Sequence, residues 1–256
     1  MKLQKKDGLA FFQFPALEAL SDLWHGVFTR MGGASQGAHA SLNVSYGAGD
    51  RDSQVAANRR RIARCLGADR MVFARQRHGH RVWAVRDGDG RQGSFDRLPP
   101  IADAMVTHLA GYLLVIQVAD CQPVFIFDPL RRVVANIHSG WRGSIENVIG
   151  HTIEVMKQKY ACRPENMVAA VGPSLGPCCA EFRHYRKEIP QAFWRYKDQK
   201  NHFDFWTASR DQLVEAGLAP SNVTITDHCT RCRTDLFYSY RGEGETGRFA
   251  AVIGLR

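Results

Sequence analysis

The stretch ADCQPVFIFDPLRRVVANIHSGWRGS, residues 119–144, sets Cys121 and His138 at the two ends of an apolar strand–turn–strand pattern. A thiol beside an imidazole can serve as a nucleophile with its base, because the neighbouring ring lowers the thiol pKa. The same two side chains are also ligand types that zinc prefers. The plainest alternative is a buried free cysteine next to a hydrogen-bonded histidine. PVFIF (123–127) and RVVANI (132–137) flank DPLR (128–131), and Pro129 suits the second position of a turn. A hairpin closing symmetrically there sets Phe127 opposite Arg132 and, counting back, Cys121 opposite His138. Directly opposed Cβ atoms lie about 4.5–5.5 Å apart. A one-residue slip would send one of the pair to the other face.

A catalytic zinc site needs a third protein ligand and keeps one position open. RQRHGHRVWAV (75–85) offers His78 or His80 on either side of Gly79, in a tight link before an apolar strand. Spacing alone does not choose between them. After His138, SGWRGS reads as a glycine-rich turn running into a helix from Ser144. Such a turn presents backbone N–H groups to an anion, and Arg142 beside Gly143 adds a bidentate fork for phosphate. Asp120 and Asp103 are candidate acid/base or ligand-orienting groups, with strand-end turn residues as the simpler alternative. HCTRC (228–232) holds a lone C-x-x-C, for which the vicinal pair Cys178–Cys179 makes a poor partner. It is read as structural or incidental, neither a redox nor a zinc centre.

The elements that must position these groups are mostly strands. Runs at 71–75, 81–85, 111–118, 123–127, 132–137, 167–172, 222–226, 236–240 and 249–254 carry the strand signature, several of them apolar throughout. Their sheets are therefore covered on both faces, and short turns between neighbours favour antiparallel or mixed pairing. Helical periodicity marks 53–66, 144–160 and 208–216, the last with Thr207 as N-cap and Gly217 past its end. DGDGRQGSFDRLPP (87–100) reads as a long surface loop. Strands and helices do not alternate cleanly, so a doubly wound nucleotide fold is disfavoured. The expectation is one mixed α/β domain over residues 1–256.

Composition narrows the class. Hydrophobic residues at 45% and charged residues at 23% describe an ordinary globular chain, and no apolar run is long enough to span a membrane. Gln13, Pro15 and Glu18 interrupt the apolar start, so the N-terminus reads as mature cytoplasmic sequence. Seven cysteines, an odd number, favour a reduced compartment. The charge of +9 raises nucleic-acid binding, but its basic residues are scattered and NRRRIAR (58–64) lies within a helical pattern. A positive field equally suits a small anion such as phosphate or a nucleotide.

Taken together, RQRHGHRV, ADAMVT (102–107), VADCQPV (118–124), IHSGWRG (137–143), GPSLGPCC (172–179) and SYRGEGETGR (239–248) resemble the bacterial laccase-domain proteins, in order along nearly the whole chain. Members of that family are called polyphenol oxidase, peptidoglycan editing factor or purine nucleoside phosphorylase. The resemblance implies a single-domain α-β-β-α sandwich of mixed sheets, of the α+β type. It implies a metal site on His78, Cys121 and His138, and so selects His78 over His80. It adds Asn43 of SLN and Arg241 of SYRGEGETGR to Arg142 and Gly143 as substrate- or phosphate-binding candidates. Ala180, where tyrosine is more usual, and Tyr46, where histidine is often seen, depart from the pattern without touching the ligands.

The function implied is a zinc-dependent purine nucleoside phosphorylase, acting on adenosine, inosine and methylthioadenosine, with adenosine deamination on the side. Cys121, His138 and Asp120 are its candidate catalytic residues. The expected partners are purine nucleosides and phosphate, with no membrane and no nucleic acid, and the expected state is a monomer or weak homo-oligomer. A copper phenol oxidase is the weaker alternative: multicopper chemistry needs many paired histidines, and this chain has ten His with one H-x-H. A Cys/His2 set would bind Cu2+ tightly in vitro whatever its function. A peptidoglycan-precursor hydrolase with Cys121 as nucleophile and His138 as base is the other alternative.

Overall fold

The computed structural model describes residues 1–20, 22–68, 70–89 and 99–256. Among these residues twelve strands follow one another. They are β1 (Lys2–Lys6), β2 (Leu9–Gln13), β3 (Leu23–Phe28), β4 (Arg70–Phe73), β5 (Val82–Ala84) and β6 (Ala104–Thr107). The rest are β7 (Tyr112–Val118), β8 (Gln122–Asp128), β9 (Val133–Ser139), β10 (Val168–Val171), β11 (Val223–Ile225) and β12 (Phe249–Leu255). They form two six-stranded sheets, one ordered β1-β2-β3-β12-β7-β4 and the other β11-β10-β8-β9-β6-β5. Pairing is antiparallel except for β4 with β7, β5 with β6 and β10 with β11.

Period-two alternation splits each central strand between two cores. In β7, Leu114 and Ile116 face the other sheet, meeting Phe125, Phe127 and Val134 of β8 and β9. The intervening Leu113 and Val115 face outward against Ile62 and Cys65 of the helix Asp52–Leu66. In β8, Val124 and Ile126 likewise turn outward, to meet Ile149, Ile153 and Met156 of the helix Val148–Tyr160 and Leu213 of the helix Phe205–Glu215. The layers are helix, sheet, sheet, helix, the α-β-β-α sandwich of mixed sheets expected. Strands covered on both faces explain why their sequences read as continuous apolar runs. Each fully buried Leu, Ile or Phe in them contributes about 1.5–3 kcal/mol.

Several expectations need correction. Asp128 pairs with Val133, and Pro123, not Cys121, pairs with His138. The loop is 129–132, one residue later than expected: the Asp128 carboxylate accepts the N–H groups of Leu130 and Arg131, and Arg132 takes a left-handed φ of 52°. The resulting two-residue shift keeps the face of every side chain. Residues 236–240 form no strand; they lead into the short helix Tyr240–Glu243. The helix after His138 starts at Trp141, not Ser144, and breaks at Asn147, whose side chain caps a second helix by accepting the Gly150 N–H. The third helix starts at Phe205 with Asp204 as its cap, because the Asp204 carboxylate accepts the Thr207 N–H.

The hairpin of β1 and β2 went unread, although Asp7-Gly8 between them, both at positive φ, is a strong two-residue turn signal. Residues 90–98 of the expected surface loop at 87–100 lie outside the described residues. Among the described residues, no helix is long and apolar enough to cross a membrane.

Candidate active site

Among the described residues the chain passes from one sheet to the other at four connections, and two of them carry a candidate ligand. Ala119-Asp120-Cys121 links β7 to β8, and His78 lies on the link from β4 to β5. His138 reaches the same point from β9. One ligand atom each of His78, Cys121 and His138 lies within 4.8 Å of the others. His80 stands outside the group: its Nδ1 pairs with Glu146 Oε2 at 2.7 Å, and its ring stacks on His151 at 4.6 Å.

Asp103 organises the three. Its carboxylate accepts the backbone N–H groups of Arg77, His78 and Gly79 at 2.8–3.1 Å, which locks the turn in which His78 takes a φ of 62°. The same carboxylate meets Nδ1 of His138 at 2.9 Å, so Nε2 is the ring nitrogen left for Cys121 or a metal. Burial alone would raise the Asp103 pKa, but these donors, His138 and Gly79 foremost, hold it below the usual carboxylate range. Asp103 therefore fixes the orientation of His138 and of the turn that carries His78.

Burial would also push the Cys121 thiol up, yet the charge and hydrogen bond of His138, with a hydrogen bond from His78, bring it down to about 6. His138 moves the other way. Burial opposes its charge, and the Cys121 thiolate together with Asp103 raises it to about 9. Without a metal, the two opposite shifts favour a thiolate–imidazolium pair at neutral pH. Glycine keeps the space beside it clear: a Cβ on Gly140 would lie 3.0 Å from His78 Cδ2 and 3.1 Å from Cys121 Sγ. One on Gly143 would lie 3.1 Å from the Gly79 carbonyl, so Gly143 is a packing residue between helix and histidine turn.

The group sits at the floor of a cavity of about 1080 Å³. Among the described residues six arginines line it, namely Arg59, Arg75, Arg77, Arg142, Arg241 and Arg248. Among the described lining residues Asp120 is the one carboxylate. Arg142 is exposed and lies over the Trp141 ring at 4.6 Å. Arg241 reaches the Glu181 carbonyl and packs near Phe182.

Arg59 and Arg248 were missed in the sequence. Arg59 looks like one charge in a basic helix face, but it bonds the Val44 carbonyl and lies over Tyr46 and Phe73 at 4.3 and 3.6 Å. Burial lowers its pKa to about 10, and it remains a cation at neutral pH. Arg248 follows the SYRGEGETG run and could have been found from it.

Two expected residues have their side chains engaged in the scaffold. Asn43 is fully buried behind the wall, bonding Asp50, the Ser45 backbone and the Arg248 N–H. Asp120, at a φ of 84°, accepts Thr230 Oγ1 and Ser239 Oγ at 2.7 Å and the Arg241 N–H at 2.6 Å. Its carboxylate is thus occupied in holding two later segments, at Thr230 and at Ser239–Arg241, to the Cys121 link.

The known proteins that this chain is similar to bear on the site. It is 34% identical to purine nucleoside phosphorylase YlmD of Geobacillus stearothermophilus, over 90% of this chain and 89% of that one. It is 36% identical to a purine nucleoside phosphorylase of Deinococcus radiodurans, over 90% and 88%. The crystal structure of YlmD from G. stearothermophilus superposes with a TM-score of 0.88 at 32% identity, covering 99% of this chain and 98% of that one. A Bacillus licheniformis hypothetical protein YfiH superposes at 0.89 with 28% identity, covering 99% of each. The family model described as multi-copper polyphenol oxidoreductase laccase matches residues 24–256, and the chain belongs to that family.

Proposed function

We propose that this protein is a zinc-dependent phosphorylase of purine nucleosides, with adenosine and inosine among its substrates. The observation that carries the reading is a cleft lined by arginines with a thiolate and two imidazoles converging at its floor. The names of its relatives support the same class. In the reaction, the bond between ribose C1 and the purine nitrogen breaks and a bond from C1 to a phosphate oxygen forms. The products are ribose 1-phosphate and the free base, which takes up a proton.

The residues present fit a catalytic zinc. Cys121 is a thiolate near neutral pH, Asp103 fixes the tautomer of His138, and Gly140 leaves the space between ligands clear. His78, Cys121 and His138 would hold the ion, which supplies a Lewis-acidic charge at the cleft floor. Arg142, Arg241 and Arg248 neutralise and orient phosphate by charge-assisted hydrogen bonds. Phe182 and Tyr46 offer aromatic surface to the purine. Asp120 acts as a positioning residue, holding the Cys121 link and the Arg241 segment together. Water attacking purine C6 of adenosine, with the C6 amino group leaving as ammonia, would give inosine and account for the adenosine deamination.

One observation favours a second reading. Cys121, His138 and Asp103 also form a thiol–imidazole–carboxylate series, as a hydrolase acting through the thiol would require. Phosphate-dependent release of hypoxanthine from inosine separates the two, measured on wild type and Cys121→Ala with metal content determined. Turnover that needs both phosphate and zinc, and is abolished with the metal in Cys121→Ala, supports the phosphorylase. A zinc-loaded wild type that leaves inosine and adenosine unchanged overturns it. Activity that persists in chelator but ends on alkylation would establish the thiol hydrolase instead.

A further inference from the structure

Four of the seven cysteines converge at a second point, which neither the cleft nor the proposed reaction uses. Cys178 and Cys179 come from the turn after β10, and Cys229 and Cys232 from the turn after β11. Their four sulfurs all lie within 4.8 Å of one another. Cys232 Sγ is 3.7 Å from Cys178 Sγ and 3.6 Å from Cys179 Sγ. Zinc bound to four thiolates at about 2.3 Å sets the edges of its sulfur tetrahedron at about 3.8 Å. These spacings suit four sulfurs around one ion; a disulfide brings two sulfurs to about 2.05 Å and would leave the other two without a role.

The backbone is arranged as a thiolate site requires. The Gly176 N–H points to Cys229 Sγ at 3.3 Å, and the Cys232 N–H is directed to the same sulfur. Glycine is needed at 176, since a Cβ there would lie 3.0 Å from Cys229 Cβ and 2.8 Å from the Trp206 ring. The two turns are laced together by the Ser174 N–H to the His228 carbonyl and the Thr230 N–H to the Ser174 carbonyl. Cys179 and Cys229 are buried while Cys178 and Cys232 are exposed, so the cluster closes against the protein and opens to incoming metal on one side.

We propose that Cys178, Cys179, Cys229 and Cys232 bind a structural zinc ion, separate from the cleft triad. With four protein ligands it has no open position, and its task is to clasp two turns. Both turns end on Asp120: the Leu175 N–H donates to the Asp120 carbonyl at 2.8 Å, and Thr230 Oγ1 donates to its carboxylate at 2.7 Å. The ion therefore braces the left-handed Asp120 and, through it, the Cys121 link. Binding displaces the thiol protons, so loading weakens as pH falls.

The test is metal counting on the purified full chain together with cobalt substitution. Wild type is expected to hold about two zinc ions per chain. Cys121→Ala should lose one, and Cys178→Ser with Cys232→Ser the other. Cobalt added to metal-stripped Cys121→Ala should develop the thiolate-to-cobalt charge-transfer bands of a tetrahedral four-sulfur site, a readout that needs no cluster variant to fold. Either of two results overturns the proposal. One is cobalt-treated Cys121→Ala without those bands and with all four thiols freely titratable. The other is peptide mapping of the unreduced protein that finds Cys232 in a disulfide with Cys178 or Cys179.

Discussion

Asp103 and His138 are joined through Oδ1 and Nδ1 at 2.9 Å, and neither side chain is more than 3% exposed. The same carboxylate secures the turn that carries His78, so one acidic residue sets the direction of two ligands on separate strand ends. Outer partners of this kind typically govern metal affinity by about 10- to 100-fold. Asp103→Asn keeps the size but removes the charge, and its amide cannot accept all of these donors. Zinc affinity is expected to fall by roughly that factor, with activity following the metal. Competition with a chelator of known affinity measures it, and an unchanged affinity would remove Asp103 from the site.

Gly140→Ala should separate the site from the fold. The added methyl meets His78 and Cys121 at about 3 Å and forces one of them aside. Gly140 has a φ of −77°, which any residue adopts, so the backbone itself is not strained. Overpacking is expected to cost about 1–3 kcal/mol, while metal binding suffers more than that change in stability would suggest. Thermal unfolding of the metal-free variant beside its zinc stoichiometry checks this.

The Cys121 thiol offers a pH readout. Its pKa is lowered to about 6, so the metal-free protein should react with iodoacetamide half-maximally near pH 6, instead of near the ordinary thiol value of 9. The reactive thiolate is present above that pH and disappears below it. His138→Gln removes the cation responsible and should move the midpoint upward. Mass-spectrometric quantification at Cys121 gives the profile, and zinc should protect the residue.

His25 is expected to make the fold less stable in acid. Burial lowers its pKa to about 4, and the Phe14 N–H that donates to its Nε2 at 3.0 Å needs that nitrogen unprotonated. The unfolded chain takes up this proton near pH 6.5 and the folded one only near 4, so between those values the unfolded state binds more protons. Stability must therefore fall as pH falls from about 6.5 to 4, by a few kcal/mol in all. His25→Gln should flatten that slope in denaturant titrations, and an unaltered slope would assign the acid sensitivity elsewhere.

The class of the fold was legible in the chain itself, and so was a short list of candidate ligands. Apolar runs such as GYLLVIQV (111–118) require strands covered on both faces, whatever their partners. A cysteine, a histidine and a histidine–glycine turn near strand ends name a short list of ligands by their chemistry alone. The rest depended on distance. A hairpin register hangs on where a turn closes, and the Asp128 side chain moved that by one residue. No local pattern says that Cys178 and Cys179 meet Cys229 and Cys232, because the contact is made by two turns about fifty residues apart. Nor does a basic helix face reveal that Arg59 turns into a cleft. Side-chain chemistry and periodicity are properties of neighbours along the chain; which chemistries share one point was decided only when the two sheets packed and their crossings met.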